Sequence, residues 1–425
     1  MRELEQLDTD VLVIGLGAAG LFAAASLARE NKNVIVVGSG TTATSLSTGC
    51  ISFIRDDIIQ TERGGIDLES LVQSVHPFND IIDRGSRTLE SLMPEMSSFF
   101  VRSLSDQGLE MTDDVFHFFD LLTNAGTSYT CSIAPFFTVA GRLDSMVGSR
   151  LALLGILGHG DLDPDLVAAM FKAGRRKLKV RPYWTRLKAS AGRQDLNPCE
   201  AAWLFRSGGS MDEIVQVIKE LDEENVAIPP LFKLAEYQKG MSKIRNASGR
   251  NVFEMVTPLS LPGLRLQEAL EKSAVAQGCR LLRNRKVTCL EFKGKRAISA
   301  LLQTRTRAQK VNFNSMILAT GDLVGGGLAV EEQEVKDPLQ AFKVGKFDSK
   351  YAFQQSGYEA AMRDIMETGF LVTNDMRLLS KDGKTVENAF GAGAALAGFS
   401  FPTGVGLGGS LLTAWVAALH AREVS

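Results

Sequence analysis

Residues Val11–Gly40 read VLVIGLGAAGLFAAASLARENKNVIVVGSG. Val11–Ile14 is an apolar, β-branched run of the kind a strand buried on both faces uses. Ala18–Arg29 is rich in alanine and leucine and predicts a helix. Val34–Val37 predicts a second buried strand. Between the first strand and the helix stands G-x-G-x-x-G, on Gly15, Gly17 and Gly20. Gly15 permits the tight turn, Gly17 lets the backbone approach a pyrophosphate, and Gly20 lets the helix pack close to the strand. The helix start then offers N–H groups and a positive dipole end to the phosphates. In this strand–helix–strand setting the glycines predict a nucleotide site, with Gly15, Gly17, Ala18, Ala19 and Gly20 as its contacts. A glycine-rich turn without a ligand is the plain alternative.

Such units usually place a carboxylate on an adenosine ribose about twenty residues further on. Here the second apolar run ends in Gly38 and Ser39. Ser39 offers a neutral hydroxyl in place of the acid, with a weaker hydrogen bond.

The rest of the composition bounds the problem. A chain of 425 residues buries a large core and predicts two domains, or one domain with a large insertion. Hydrophobic content is 45% and charged content 23%, and the net charge of −2 gives no global pull toward nucleic acid. Cys50, Cys131, Cys199, Cys279 and Cys289 form no C-x-x-C pair, which argues against an iron–sulfur or zinc site and for reduced thiols in a cytoplasmic protein. The N-terminus MRELEQLDTD lacks the apolar stretch of a signal peptide. Asn388–Ala421 carries no Lys, Arg, Asp or Glu and is long enough to span a bilayer. Its clustered glycines and Pro402 instead predict a buried loop followed by a core helix, with no transmembrane segment.

Helical patterns occupy Asp80–Gly108, Asp113–Ala125 and Met211–Glu223, and Leu151–Leu157 predicts a strand ending in a G-H-G turn. Phe171–Lys188, FKAGRRKLKVRPYWTRLK, holds eight basic residues and no acid. It reads as a solvated basic face, or as a docking patch for an acidic partner or an anionic membrane surface. Pro262–Gly278 predicts a turn and a helix. Lys286–Phe292, Ala297–Thr304 and Gln309–Phe313 predict a small antiparallel meander. Ser315–Ala319 predicts a further buried strand.

At Ile317–Gly321, ILATG, the order strand–helix–strand, meander, strand–ATG resembles the flavoproteins with a dinucleotide-binding domain, in which this turn lies close to the flavin. Asn388–Leu396, NAFGAGAAL, resembles their strand and turn near the ribityl chain. Gly404–Leu412, GVGLGGSLL, resembles the L-G-G-N-S-L-L motif of the fumarate reductase and succinate dehydrogenase flavoproteins. There the loop wraps the isoalloxazine ring, and the helix that follows aims its N-terminus at it. A helix starting at Ser410 would set about half a positive charge beside the ring and favour its reduced anion.

Within that superfamily the chain resembles the B-subunit family of anaerobic glycerol-3-phosphate dehydrogenases. The resemblance rests on Thr44–Ile51 (TSLSTGCI), Pro258–Leu266 (PLSLPGLRL), Ala319–Leu328 (ATGDLVGGGL) and NAFGAGAAL. It implies an α/β fold: a Rossmann-like FAD/NAD(P)-binding domain with a small antiparallel meander, on residues 1–60 and 255–425. An inserted capping or partner domain takes residues 61–254. It implies flavin contacts at Ser39, Ser45, Ser47, Thr48, Gly49, Thr320, Gly321, Gly393, Gly406, Gly408, Gly409 and Ser410. Ala394 stands where a second family acid would bind the cofactor. Both acids are therefore absent. The pyrophosphate turn favours FAD as the cofactor, with FMN, which has no adenosine to hold, as the alternative. The histidine used for covalent attachment aligns with Ala43, which implies a noncovalent flavin.

A base for substrate oxidation is harder to place. Arg142, His159 and Arg265 are weak catalytic candidates, each with a plain structural reading; Arg265 reads equally as a surface residue of its helix. His76, His117 and His420 lie in no motif. Cys50 has no second cysteine nearby to make a redox pair. The resemblance implies a flavin-bearing relay that works with a catalytic flavoprotein subunit and an iron–sulfur subunit. Together they would oxidise sn-glycerol 3-phosphate to dihydroxyacetone phosphate and pass electrons to a quinone-linked acceptor, peripherally on the cytoplasmic membrane face. A stand-alone fumarate-reductase-like FAD-dependent dehydrogenase, and a flavin-free scaffold subunit, are the alternatives.

Overall fold

The computed structural model describes residues 5–53, 89–173, 178–190, 192–206, 208–303, 308–323, 325–331, 334–345, 368–399 and 406–425. His76, residues 80–88 of the predicted helix, residues 174–177 of the basic tract, and Gly404 lie outside them.

In chain order the first elements are β1 (Glu5–Ile14), α1 (Ala18–Arg29), β2 (Val34–Gly38), α2 (Leu89–Ser105), β3 (Phe119–Leu122) and β4 (Ser128–Cys131). Then come β5 (Arg150–Ile156), α3 (Pro164–Ala173), β6 (Lys179–Thr185), α4 (Pro198–Phe205), α5 (Gly208–Lys219), β7 (Asn225–Ile228), α6 (Leu234–Ser248) and β8 (Asn251–Glu254). The chain continues with α7 (Leu261–Ala276), β9 (Arg280–Arg283), β10 (Lys286–Lys293), β11 (Arg296–Gln303), β12 (Ala308–Leu318), β13 (Ala329–Glu331) and β14 (Glu334–Lys336). It closes with β15 (Arg377–Leu379), β16 (Thr385–Gly391) and α8 (Gly406–Val424).

Two compact units result. The first comprises Met1–Ala43, Ser52–Phe100 and Leu270–Ser425. Its sheet runs β10-β11-β12-β1-β2-β9, and β16 pairs with the second half of β12. The strands β9, β2, β1, β12 and β16, in that order, run parallel to one another. Both faces of this parallel core are covered, which is why Val11–Ile14 and Val34–Val37 are apolar at every position. Leu12, Ile14, Ile35 and Val37 join Met316, Leu318 and the meander residues Ala300 and Leu302 in one core. Elsewhere in this unit α1 packs on α8: the Phe22 and Trp415 rings stack at 5.9 Å, and Phe99 lies 5.6 Å from Phe22.

The meander and the buried strand at Ser315–Ala319 are not separate, as the sequence suggests. β12 is one strand of 11 residues, Ala308–Leu318. Its first half pairs antiparallel with β11 and its last residues pair parallel with β16. The polar residues Asn312 and Asn314 in its middle disguise that continuity: their side chains reach Asp8 and Asp10 on β1.

The second unit comprises Thr44–Ile51 and Val101–Ala269. It holds its own parallel sheet, in the order β6-β5-β7-β8. Leu151, Leu153, Val167, Phe171, Ala227 and Phe253 form its core with the helix α3. The helix predicted for Asp113–Ala125 is replaced by a hairpin, in which Phe119–Leu122 pairs with Ser128–Cys131. Gly126, at φ +77°, makes the turn, and the Thr123 and Thr127 hydroxyls close it at 2.8 Å.

The unit borders fall away from the 1–60, 61–254 and 255–425 boundaries that the resemblance implies. Ile51 pairs with Ile133, and Leu259 N–H donates to the Leu46 carbonyl, so residues 44–51 and 255–269 group with the second unit. Residues 89–100 group with the first, through the aromatic contacts of Phe99 and Phe100 to Phe22. No helix among the described residues is long and apolar enough to cross a membrane.

Candidate functional site

The predicted motif turns of the first unit leave one edge of one sheet. Gly15 N–H donates to the Val37 carbonyl at 2.8 Å, Ala319 N–H to Ile14 at 2.8 Å, and Ala392 N–H to Leu318 at 3.0 Å. The carboxyl ends of β2, β1, β12 and β16 therefore stand side by side, the place where open parallel sheets bind ligands. The turns at Gly15–Gly20, Gly38–Gly40, Ala319–Gly321 and Ala392–Ala395 all start there.

Steric fit shows why glycine occupies these turns. Gly15 has φ +133°, and a Cβ there would fall inside the Ala319 carbonyl. A Cβ on Gly20 would likewise meet the Gly15 carbonyl. Gly17 caps α1 without a side chain, and the first turn of α1 carries no acid. The positive end of that helix is therefore left without a charged side chain of its own.

Gly393, at φ +72°, ties the start of the chain to its end. A Cβ there would lie 2.7 Å from Ala19 Cβ on α1 and 3.5 Å from Ser410 Oγ on α8. The Gly393 N–H donates to Thr413 Oγ1 at 2.9 Å, and Thr413 Oγ1 donates to the Gly409 carbonyl at 2.7 Å. Gly408 packs on Ser52 and Phe53, leaving no room for a side chain. Among the described residues the helix α8 runs Gly406–Val424, so Ser410, expected at its start, lies inside it. Thr320 Oγ1 is buried without a hydrogen-bond partner among the described residues. An orphaned hydroxyl at the end of β12, beside a cradle where side chains are sterically excluded, fits a bound dinucleotide.

The missing acid after β2 also has a steric cause. A Cβ on Gly38 would lie 2.9 Å from Leu16 Cγ and 3.1 Å from Leu16 N. Leu16 covers that position, so a side chain at Gly38 would need Leu16 to move. Ser39 beside it is exposed.

Ser45, Ser47, Thr48 and Gly49 belong to the second unit. Ser47 Oγ donates to the Thr44 carbonyl at 2.7 Å, and Gly49, at φ +72°, packs on Pro262. Gly263 presses against the Ser45 and Ser47 carbonyls, each 2.6 Å from where its Cβ would stand. The TSLSTGCI and PLSLPGLRL stretches therefore form one clasp. Leu259 in that clasp has φ +57° while its side chain is 70% exposed. A branched residue held in the left-handed region stores about 1–3 kcal/mol. We expect Leu259→Gly to raise stability by about 1 kcal/mol, since little burial is lost. Equilibrium denaturant unfolding of the purified chain checks it.

The three catalytic candidates are each occupied within the second unit. Arg142 pairs with Asp144 at 2.5 Å and lies 5.2 Å from the centre of the Phe119 ring. His159 is buried: one ring nitrogen faces the Pro230 carbonyl at 3.1 Å, and the other accepts the Asp161 N–H at 3.3 Å. Burial lowers its pKa, against the opposing pull of Asp161 and Pro230. Arg265 is not a surface residue. It is 1% exposed, ion-paired to Glu254, bonded to the Phe232 carbonyl at 2.8 Å, and stacked 3.9 Å from the Tyr237 ring centre. Glu254 Oε2 and Arg265 Nε have no partner among the described residues.

Cys50 is not alone either. Cys131, 81 positions away, packs beside it in one apolar cluster and hydrogen-bonds to it. Burial, then the Cys50 thiol, push Cys131 well above the usual thiol range. Such a thiol is a poor nucleophile, so the pair is structural. Neither the Glu254–Arg265 pair nor the cysteine pair is visible in the sequence, where no spacing signals it.

Residues 10–75 match the family model of the FAD binding domain, which supports FAD as the cofactor. Over 97% of its length the chain is 22% identical to the B subunit of anaerobic glycerol-3-phosphate dehydrogenase from Actinobacillus pleuropneumoniae serotype 5b (strain L20), covering 98% of that protein. The corresponding Vibrio cholerae serotype O1 (strain M66-2) protein is 27% identical, over 97% of this chain and 95% of that one. The open conformation of a flavocytochrome c3 fumarate reductase aligns with 98% of this chain and 78% of its own, at 12% identity and a TM-score of 0.45. The chain therefore carries an FAD-binding domain near its N-terminus and is similar, along nearly its whole length, to the dehydrogenase B subunits that its motifs resemble.

Proposed function

We propose that this chain is the FAD-bearing B subunit of an anaerobic glycerol-3-phosphate dehydrogenase and that it relays electrons to partner subunits. The observation that carries the cofactor half is the convergence of Ala19, Gly393 and Ser410 at the carboxyl edge of the first unit's parallel sheet. Gly15, Gly17, Ala18, Ala19 and Gly20 hold the pyrophosphate through backbone amides and the α1 dipole. Ser39 serves the adenosine ribose. Thr320 and Gly321, with Gly393, serve the ribityl chain. Gly406, Gly408, Gly409 and Ser410 present the start of α8 to the ring. Ser45, Ser47, Thr48 and Gly49 are assigned to the flavin on their sequence motif alone. Bound FAD supplies a two-electron acceptor.

The relay half rests on how the three catalytic candidates are occupied among the described residues. A base for an alcohol must reach the substrate hydroxyl, and Arg142, His159 and Arg265 are each engaged by neighbours of their own. The substrate class comes from the relatives' name, and the partners are a catalytic flavoprotein subunit and an iron–sulfur subunit.

The test is anaerobic. The purified chain is expected to be yellow and to release FAD on heating. Its flavin absorption is expected to stay unbleached by glycerol 3-phosphate alone and to bleach once the partner subunits are added. Bleaching of the isolated chain would instead make it a stand-alone dehydrogenase. A colourless chain that refuses FAD in titration would leave only the scaffold role.

A further inference from the structure

Thr413 lies in the buried stretch Leu411–Ala418 of α8 and is 0% exposed. Its hydroxyl donates to the Gly409 carbonyl, four residues back, at 2.7 Å. A back-bond of this kind bends or slightly weakens a helix, so helix stability does not explain a hydroxyl there. The same oxygen accepts the Gly393 N–H at 2.9 Å, from a turn 20 positions away. One buried hydroxyl therefore joins two segments of the first unit, and each of its bonds polarises the other.

The Gly393 turn sits in contact with two helices. A Cβ at Gly393 would stand 2.7 Å from Ala19 Cβ on α1 and 3.5 Å from Ser410 Oγ on α8. Its neighbouring amides bond to backbone: Ala392 N–H donates to the Leu318 carbonyl at 3.0 Å, and Leu396 N–H to the Gly393 carbonyl at 3.1 Å. From Gly391 to Ala397 every residue is buried except Ala394, which is half-buried. The turn thus offers a ligand the one residue Ala394. Thr413, with no exposed surface, supports the turn from inside.

We propose that Thr413 is a positioning residue for the flavin: its hydroxyl locks the Gly393 turn to α8 and so sets where the ribityl and ring segments of the cradle stand relative to each other. The proposal rests on the FAD reading above. Without the hydroxyl the buried Gly393 N–H loses its partner, and an unpaired buried amide is costly. The turn recovers a bond only by moving off α8. The Gly15–Gly20 turn is held independently, by the Val37 carbonyl and by close packing on Ala319, and stays in place.

The test uses the full chain, freed of flavin and titrated with FAD and with ADP. Thr413→Val keeps the shape and loses the hydroxyl. It is expected to weaken FAD binding about tenfold and to leave ADP binding unchanged. Reduced flavin is the more negative form and depends more on the α8 dipole. Its binding is expected to fall about tenfold further, which lowers the two-electron potential by about 30 mV. Thr413→Ser is expected to restore both affinity and potential. Thr413→Ala read against Thr413→Ser repeats the comparison and serves where the valine variant does not fold. A valine variant that melts lower but keeps wild-type FAD affinity and potential overturns the proposal, because the hydroxyl then serves the fold alone. Equal losses of FAD and ADP binding overturn it too, since the whole sheet edge is then disturbed. So does a serine variant that restores neither quantity. A wild-type chain that takes up no FAD overturns the FAD reading itself, and the role of Thr413 with it.

Discussion

Gly15→Ala is expected to abolish FAD binding and to destabilise the fold by about 2–6 kcal/mol. That range adds the roughly 1–3 kcal/mol cost of overpacking to the roughly 1–3 kcal/mol cost of a left-sided φ for a residue with Cβ. The added methyl has nowhere to go. It points at the Ala319 carbonyl, part of the turn that ends β12 in the middle of the parallel sheet. Relieving the clash means spreading β1 from β12, and with it the Gly15–Gly20 turn from Ala319–Gly321. Gly40→Ala is the matched control. Its φ of +83° imposes strain, but nothing lies within 4 Å of the new Cβ. It is expected to cost only about 1 kcal/mol and to leave FAD binding intact. Thermal unfolding and flavin titration of the two variants side by side distinguish them.

Arg265→Met is expected to cost about 3–5 kcal/mol, the penalty of leaving a buried carboxylate without its counter-charge. Burial pushes the Glu254 carboxyl up, and Arg265 pulls it back. Removing the arginine removes that pull, so the folded-state carboxyl rises further above its usual value of 4.5. A group whose pKa is raised by folding loses stability as pH rises. The deficit of Arg265→Met relative to wild type should therefore be small near pH 4.5 and widen as pH climbs through the raised value. Arg265→Met combined with Glu254→Leu should recover most of the loss and flatten that pH dependence, because both charges go together. Denaturant midpoints of the three variants between pH 4.5 and 8 give the answer. A deficit independent of pH would mean that the damage is lost packing on Tyr237 rather than a stranded charge.

These two sites also mark what a sequence discloses. The Gly15–Gly20 turn is legible because its glycines are needed for steric reasons, and so is the ILATG strand end. Ser410 lies inside α8 rather than at its start, since glycine-rich runs carry no helix signal of their own. Asp113–Ala125 misleads because its run of Phe and Leu satisfies a helical period and a strand period alike. Only Gly126 and the Thr123–Thr127 closure settle it. The second unit's sheet stays hidden because NVAI and NVFE are only four residues long, and because KVRPYWT is polar, as an outer strand is. Glu254 and Arg265, like Cys50 and Cys131, meet only through the fold. The absent acid after β2 is plain in the sequence, but its cause, Leu16 lying over Gly38, is not.

The pairing of β1 with β12 joins residues 304 positions apart, and α1 packs on α8 at the far end of the chain. During synthesis the first strand can therefore meet β2 early, while its other edge is left without a strand to lie against. At roughly 5–20 residues per second it waits about 15 to 60 s for β12. Through that interval Val11–Ile14 and the alanine-rich helix behind it are sticky surface. The cradle for FAD is thus complete only after the last helix has emerged, because Ala19, Gly393 and Ser410 meet there.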